Sequence, residues 1–342
     1  MSTALPTART ADPQDAPPIK WGVIAPGWIA DQFAGAVHRH SKSRVVAAGS
    51  SSLQRAEEFM ARHGGGRAYG SYEALVADAD IDAVYVASPH SHHHEQTLLA
   101  LRAGKPVLVE KAFTQNAAQA AELIEVARGS GLLLMEAMWS RFLPHYDVVR
   151  QLLADGALGD VQTVIGDHGQ HFEIPPTHRL LNPALAGGAL LDLGIYPVSF
   201  TSFVLGAPEE IQATGTMTTT GVDAQVSAVL RTGSAHGIVS TTQTAASPTT
   251  ASISGTAARI ELAGPFYQPQ AVRLTTVSGD VSESAPPAIT GHEGLVHQAA
   301  HFADLLTAGA TDSPLLPLAE TLTIMQTLDE IRRQIGLVYP NE

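Results

Sequence analysis

Cysteine is absent from this chain. That excludes disulfides, a thiolate nucleophile and cysteine-ligated metal sites. Charge is scarce too, at 15% of residues, and what there is leans acidic, with a net charge of −13. A balance of that sign argues against nucleic acid or an anionic membrane surface as the main partner. No apolar run reads as long enough to span a membrane. The first 18 residues, MSTALPTARTADPQDAPP, lack both the basic start and the apolar centre of a secretory signal. They read as a flexible tail over 1–18, and the protein reads as cytoplasmic.

What is present is ordinary globular composition, 44% hydrophobic, on a chain of 342 residues. That length exceeds what one core usually holds, so two domains are expected. Strand-like runs at 20–25, 44–49, 82–87, 106–110 and 132–136 alternate with helix-like stretches at 28–39, 53–62, 92–103 and 115–129. Short, fully apolar strands separated by helices predict a doubly wound parallel sheet of Rossmann type over 19–139. Beyond residue 140 the texture changes to Thr-, Val- and Ile-rich runs parted by Gly and Ser, such as IQATGTMTTTG and AHGIVSTTQT. These predict an α+β domain over 140–342 with an open antiparallel sheet, closed by helices near 294–309 and 317–336.

The first strand ends in Ala25-Pro26-Gly27-Trp28-Ile29-Ala30. The pattern is that of a dinucleotide-binding turn in which the first glycine has become alanine. Gly27 keeps the position of closest approach to a pyrophosphate, which would sit at the helix N-terminus. Ala25 suits this turn only with a negative φ. Pro26 cannot donate, so the amides of Trp28 and Ile29 are the expected donors. At the end of the second strand no acid is present to bind a ribose hydroxyl. Ser50, Ser51, Ser52 and Arg55 stand there instead, a group suited to a 2′-phosphate, so NADP is favoured and NAD allowed as cofactor. A serine here also serves as a helix cap.

The segment SPHSHHH invites a metal-site reading of its histidines. Adjacent histidines cannot all converge on one tetrahedral ion, and no partner with metal-site spacing follows, so no metal is expected. Ser88, Pro89, His90 and His93 read instead as the loop and helix start at the carboxyl edge of the sheet, where ligands bind. One histidine is expected to face the cofactor and the others water. Glu110-Lys111 closes the apolar run PVLVEK. A lysine at the end of a buried strand either faces the ligand crevice or solvent. In the crevice it can influence a neighbouring acid or relay a proton.

Together, WGVIAPGWIADQF, the run RAYGSYEALVADADIDAVYVASPHSHHHEQTLLALRAGKPVLVEKAFT, LLLMEAMWSRFLP and GGALLDLGIYPVSF resemble the glucose–fructose oxidoreductase, inositol dehydrogenase and related (Gfo/Idh/MocA) NAD(P)-dependent oxidoreductases. The resemblance covers nearly the whole folded chain. MEAMWSRFLP, with tyrosine rather than histidine in the last motif, points to the dihydrodiol dehydrogenase and xylose dehydrogenase branch.

The resemblance implies that Lys111 is catalytic and that Glu110 and His93 belong to the cofactor site. Ala112 replaces the proline that follows the motif lysine, so a cis bond there is not expected, a non-proline cis bond costing about 3 kcal/mol. It also implies that Asp192 and Tyr196 act on substrate. Their spacing of four puts both on one helix face. A structural cap or hydrogen-bond acceptor is the plainer role for Asp192. A free phenol titrates near 10, so Tyr196 as acid/base calls for a cation such as Lys111 beside it, with Asp192 orienting substrate or lysine.

The expected substrate is a sugar or cyclic diol. Trp139, Arg141 and Phe142 are candidate contacts, with Tyr146 as a further aromatic. The segment with Asp167, His168, His171, His178 and Arg179 supplies polar groups, of which His171 and Arg179 are the named contacts. Two other readings are an NAD-dependent glycosidase acting by transient oxidation and a catalytically silent cofactor-binding sensor. A homodimer or homotetramer is expected from the resemblance.

Overall fold

The computed structural model describes residues 5–340 and 342, so the first four residues of the expected tail lie outside the described residues. The described chain forms two compact units. One comprises Ala11–Phe142 and Gly291–Leu322. The other comprises the described residues up to Thr10 together with Leu143–Thr290 and Thr323–Glu342.

The first unit runs β1 (Lys20–Ile24), α1 (Trp28–His40), β2 (Arg44–Gly49), α2 (Leu53–Arg62), β3 (Arg67–Tyr69), α3 (Tyr72–Val76), β4 (Ala83–Val86), α4 (His90–Arg102), β5 (Val107–Glu110), α5 (Ala117–Ser130) and β6 (Leu134–Ala137). Its sheet is wholly parallel, in the order β3-β2-β1-β4-β5-β6. β4 and β5, AVYV and VLVE, are buried at every position, as strands covered on both faces must be. Local chemistry sets the helix ends. The Asn116 side chain accepts from the Gln119 amide at 3.0 Å to start α5, and Gly131, at φ 66°, ends it. In the core, Trp21 meets Phe33 edge-on at 5.3 Å and Phe302 at 5.0 Å, and Phe33 stacks on Tyr85 at 3.9 Å.

Phe302 lies on the helix Leu295–Thr307, so a cut at 139/140 does not separate the units. Residues 291–322 belong with the parallel sheet because this helix brings apolar side chains to Trp21 and α1. The short β3 and α3 were not anticipated. The tail also differs from expectation where it is described. Residues 5–18 contain no helix or strand, yet the Arg9 amide donates to Asp147 Oδ2 at 2.7 Å and its guanidinium to Oδ1 at 2.9 Å. Gln151 Nε2 donates to the Thr7 carbonyl at 3.0 Å. An ion pair and a side-chain amide hold what composition alone marked as loose.

The second unit contains α6 (Pro144–Ala154), β7 (Val161–Gly169), α7 (Ile195–Leu205), β8 (Glu210–Met217), β9 (Asp223–Thr232), β10 (Ala235–Thr242), β11 (Ala251–Gly255), β12 (Ala258–Leu262), β13 (Arg273–Thr276) and β14 (Val281–Glu283). The chain closes with α8 (Leu295–Thr307) in the first unit and α9 (Leu318–Ile335), within which the division falls. The eight-stranded sheet has the order β14-β13-β12-β11-β7-β10-β9-β8. It is antiparallel except for β7 and β10, which pair in parallel.

α7 lies on one face of this sheet. A Cβ at Gly166 would come 2.9 Å from Pro197 Cβ, so close packing of helix on sheet depends on the missing side chain. The stretch Pro183–Leu205 has a mean hydropathy of 1.4, long and apolar enough by composition to span a membrane, but 78% of it is buried inside the protein. It is core, contrary to the expectation that no such run exists. On the opposite face Ile165, Ile238 and Val229 are exposed and directly paired across β7, β10 and β9.

Candidate active site

The first group of candidate residues gathers at the carboxyl ends of β1, β2, β4 and β5. The strand order reverses between β1 and β4, which is where a doubly wound sheet opens a crevice for a ligand. Ala25 follows β1 with φ 59°, in the left-handed region, and its amide donates to the Gly49 carbonyl at 3.0 Å. The negative φ expected of it is therefore wrong. The chain makes its tight turn at the alanine, tied to the end of β2. Gly27 has φ −128°, and a Cβ placed on it would meet only the Ala25 carbonyl, at 4.0 Å. Among the described residues nothing requires glycine at 27.

α1 then starts at Trp28 without a side-chain cap on its amides. The acid in its first turn, Asp31, is occupied by Arg62 at 3.0 Å and His63 at 2.9 Å. A helix start with open space before it and its nearby carboxylate neutralised is suited to a phosphate. Trp28 is 63% exposed and meets His292 edge-on at 4.9 Å.

The three serines after β2 divide their work. Ser52 caps α2, its Oγ accepting from the Arg55 amide at 3.5 Å, and Ser50 Oγ accepts from the Ser52 amide at 3.2 Å. The helix-cap role is therefore real for Ser52. Ser51 and the Arg55 side chain are exposed at this edge.

The histidine segment begins α4. His92 pairs with Glu95 and His94 with Glu122, each at 2.9 Å. Among the described residues no three His, Cys, Asp or Glu side chains are grouped to hold a metal. His93 does not face a ligand surface. It is fully buried, with Nδ1 2.8 Å from the Ala112 carbonyl and Nε2 2.8 Å from the Ser88 carbonyl. Burial pushes its pKa down to about 4, opposed by those carbonyls. Its ring thus links the loop after β4 to the turn after β5. His90 is buried against it, with ring centroids 5.6 Å apart.

Lys111 leads that second turn. The Lys111–Ala112 bond is cis, where the absence of proline argued for trans. The groups beside it are fixed by buried partners: the Ala112 carbonyl by His93, and the Phe113 amide by Glu136 Oε1 at 3.2 Å. Glu110 is buried as well. Its carboxylate accepts from the Tyr85 hydroxyl and, at 3.3 Å, from the Lys111 amide, so it supports the turn rather than presenting itself to a cofactor. Glu136 also accepts from Thr321 Oγ1 at 3.2 Å. Burial pushes its carboxyl up to about 7, opposed by Thr321, the Phe113 amide and Arg141. Sequence reading gave Glu136 no role.

Two of the substrate candidates beyond β6 serve the interior. Arg141 is buried and pairs with Glu320 at 2.8 Å, and a desolvated guanidinium needs such a partner. Phe142 stacks on His301 at 5.1 Å. Trp139, also buried, stacks on His292 at 5.7 Å.

The second group lies wholly within the other unit. Asp192 sits in a π-helical turn, Leu190–Gly194, that runs directly into α7 and Tyr196. The expected α-helical spacing is thus replaced by a wider turn, a form often found at functional sites. Arg179 reaches Asp192 Oδ1 with Nη1 at 3.2 Å and Nη2 at 3.3 Å. Tyr196 stacks on Tyr267 at 4.4 Å and lies 5.4 Å from the His168 ring, which in turn stacks on Tyr267 at 4.6 Å. Burial, with the Asp192 carboxylate adding to it, pushes the Tyr267 phenol up.

This carboxylate–guanidinium pair beside stacked phenols and an imidazole can hold a polyhydroxylated ring and exchange a proton with it. Tyr267 had no signal in sequence beyond an isolated aromatic. His171 is exposed, with Nδ1 2.9 Å from the Thr244 carbonyl, and does not join the cluster. Asp167 is spent on the turn 247–250, accepting from Ser247 and, at 2.9 Å, from the Thr249 and Thr250 amides.

Comparison with known proteins agrees with both halves. Residues 19–138 match the family model for the oxidoreductase family with NAD-binding Rossmann fold, and residues 146–261 match that for the GFO/IDH/MocA C-terminal domain. A trans-1,2-dihydrobenzene-1,2-diol dehydrogenase from Bos taurus is 37% identical over 336 residues, covering 95% of this chain and 99% of the relative. A D-xylose 1-dehydrogenase (NADP(+)) from Hypocrea jecorina is 38% identical over 365 residues, covering 94% and 93%. The crystal structure of KijD10, a 3-ketoreductase from Actinomadura kijaniata in complex with NADP and TDP-benzene, superposes with a TM-score of 0.82. It is 29% identical, and the match covers 93% of this chain and 98% of that one. The chain belongs to the Gfo/Idh/MocA family of oxidoreductases.

Proposed function

We propose that this oxidoreductase transfers a hydride between a nicotinamide cofactor and a secondary alcohol or hemiacetal carbon of a sugar or cyclic diol. The observation that carries the proposal is identity of 37–38% along nearly the whole chain with two dehydrogenases of such substrates. The chain's own groups fit the chemistry. The space before Gly27 and the uncapped start of α1 suit a pyrophosphate. The cofactor, when bound, supplies the hydride acceptor or donor. Tyr196 takes or gives the hydroxyl proton, Lys111 offers a cation to the reacting oxygen, and Asp192, held by Arg179, orients the substrate.

NADP is the favoured cofactor. Ser51 and Arg55 are exposed where the second strand ends, and no acid stands in that loop to repel a 2′-phosphate. The D-xylose 1-dehydrogenase relative is an NADP(+) enzyme, and the KijD10 structure is a complex with NADP. We extend the reading to a homodimer through the open sheet face, where the exposed row Ile165, Ile238 and Val229 gives two copies a self-complementary apolar strip.

A rate matrix tests the proposal: NAD and NADP against pentoses, hexoses, inositols and cyclic trans-diols, followed at 340 nm. Reduction of NADP with a pentose or diol is expected. Release of an aglycone without net cofactor reduction would overturn it.

A further inference from the structure

We infer that Asp223 is a positioning residue that holds the turn bearing Asp192 and Tyr196 in its working geometry, so that turnover depends on a side chain remote in sequence from both. The inference rests on the reading that Asp192 and Tyr196 serve the reaction.

Asp223 opens β9 and is fully buried. Its Oδ2 accepts from the Leu190 amide at 2.7 Å, and the carboxylate also engages the Ala189 amide. These amides begin the π-helical turn Leu190–Gly194, and Ala189, at its N-cap, supplies no side-chain cap. A helix start without its own cap needs an outside acceptor, and a charged acceptor makes the stronger bond. Asp223 meets that need from a different strand.

The segment before the turn is shaped around this carboxylate. Gly188 has φ 120°, and a Cβ placed there would lie 1.9 Å from Asp223 Oδ1. Glycine at 188 is therefore the condition for the acid to reach the turn. Asp223 is itself anchored, its carbonyl accepting from Gln243 Nε2 at 2.9 Å. From the other side, the buried Tyr339 hydroxyl donates to the Gly187 carbonyl at 2.8 Å, its ring lying 4.5 Å from the Arg332 guanidinium. The turn is thus held at two successive points, by an acceptor for its amides and a donor for the carbonyl before it. The turn is buried throughout, so its amides need acceptors in any case, but a fixed acid on one side and a fixed phenol on the other do more than satisfy them. Such an apparatus suits a side chain that must be aimed.

The charged and titratable groups facing Asp223 are Arg332 from α9, which favours its ionised form, and Tyr339 from the C-terminal segment. Burial, opposed by the bonds from Leu190 and Ala189, pushes the Asp223 carboxyl up to about 6. Protonation would leave the turn only a neutral, weaker acceptor, so activity should fall on the acid side through this group.

The test compares wild type with Asp223→Asn and Tyr339→Phe. In Asp223→Asn we expect kcat to fall by about 10- to 100-fold, with the dissociation constant for NADP unchanged and the acid limb of the kcat profile flattened. Tyr339→Phe should move kcat the same way by a smaller factor, and it keeps the inference testable if Asp223→Asn does not fold. Unchanged kcat and an unchanged pH profile, alongside a lowered melting temperature, would reduce Asp223 to a structural acid and overturn the inference.

Hydrogen exchange provides an arm free of activity. The amides of 189–196 should exchange faster in Asp223→Asn while those of β9 and β10 stay protected. Equal exchange across the turn in the two proteins would also overturn it. If wild type turns over none of the substrates, the functional reading fails and the exchange comparison alone decides whether Asp223 holds the turn.

Discussion

Gly27 and Gly188 each stand just before a helical start that carries site residues, yet the space around them differs. At Gly27 the backbone is relaxed, with φ −128°, and a side chain would meet nothing closer than a carbonyl at 4.0 Å. At Gly188, φ is 120° and an added Cβ would fall 1.9 Å from Asp223. The first glycine leaves room for something outside the chain, and the second is filled from within it. The turns that carry Lys111 and Asp192 share a device all the same. Behind Lys111, the Phe113 amide donates to the buried Glu136. Ahead of Asp192, the Leu190 amide donates to the buried Asp223. A buried acid fixing a backbone amide is a strong way to hold a turn, because no water competes for the amide there.

The largest expected effect tests whether both turns serve one reaction. Lys111→Met and Tyr196→Phe should each lower kcat by about 10²- to 10⁴-fold, with the unfolding midpoint preserved. Near-normal rates in both variants would separate the turns from the chemistry. Next in size is Gly188→Ala. A side chain at that φ, driven against Asp223, should cost about 3–5 kcal/mol of stability, read by urea denaturation. A loss below 1 kcal/mol would show that the turn is not shaped around the acid.

Much of the parallel-sheet unit was legible because its signals are local. Short apolar strands, the serine cap of α2 and the lysine ending β5 can each be read within a few residues. What escaped depends on distance or on register. Asp223 stands in TTTGVDAQV with nothing local to mark it, and its partner Leu190 is 33 positions away. Glu136 lies within an apolar strand, and its partners Phe113 and Thr321 come from elsewhere in the chain. Spacing of four between Asp192 and Tyr196 cannot tell an α-turn from the π-turn that is found. Ala25 was misread because glycine, not alanine, normally takes a positive φ. Trp139, Arg141 and Phe142 were read as substrate contacts for their chemistry, but only the fold shows that Arg141 and Phe142 spend theirs on Glu320 and His301.

The two buried acids should also leave a mark on stability. Glu136, pushed up to about 7 from an ordinary 4.5, is shifted toward its neutral form by burial. A folded-state pKa above the unfolded one gives stability that is full below about pH 4.5 and is lost as pH rises through 7. Glu136→Gln removes the titration and keeps an acceptor. It should flatten the decline in unfolding free energy between pH 5 and pH 8 by about 3 kcal/mol. Parallel stability curves for the two proteins would mean that Glu136 is already ionised in the fold, and the likeness to Asp223 would end there.

The smallest effect on the fold is the sharpest test of the contrast between the glycines. Gly27→Ala places a methyl in open space on a backbone that any residue adopts, so its unfolding free energy should stay within about 0.5 kcal/mol of wild type. The same methyl stands where a pyrophosphate would approach the start of α1, so NADP affinity should fall about tenfold or more. Fluorescence titration reads the affinity directly, since the exposed Trp28 follows at once in sequence. Unchanged affinity would mean that the phosphates do not pass Gly27, and the space before α1 would lose its meaning. Lost stability would mean that this glycine too answers to the chain, and the contrast with Gly188 would collapse.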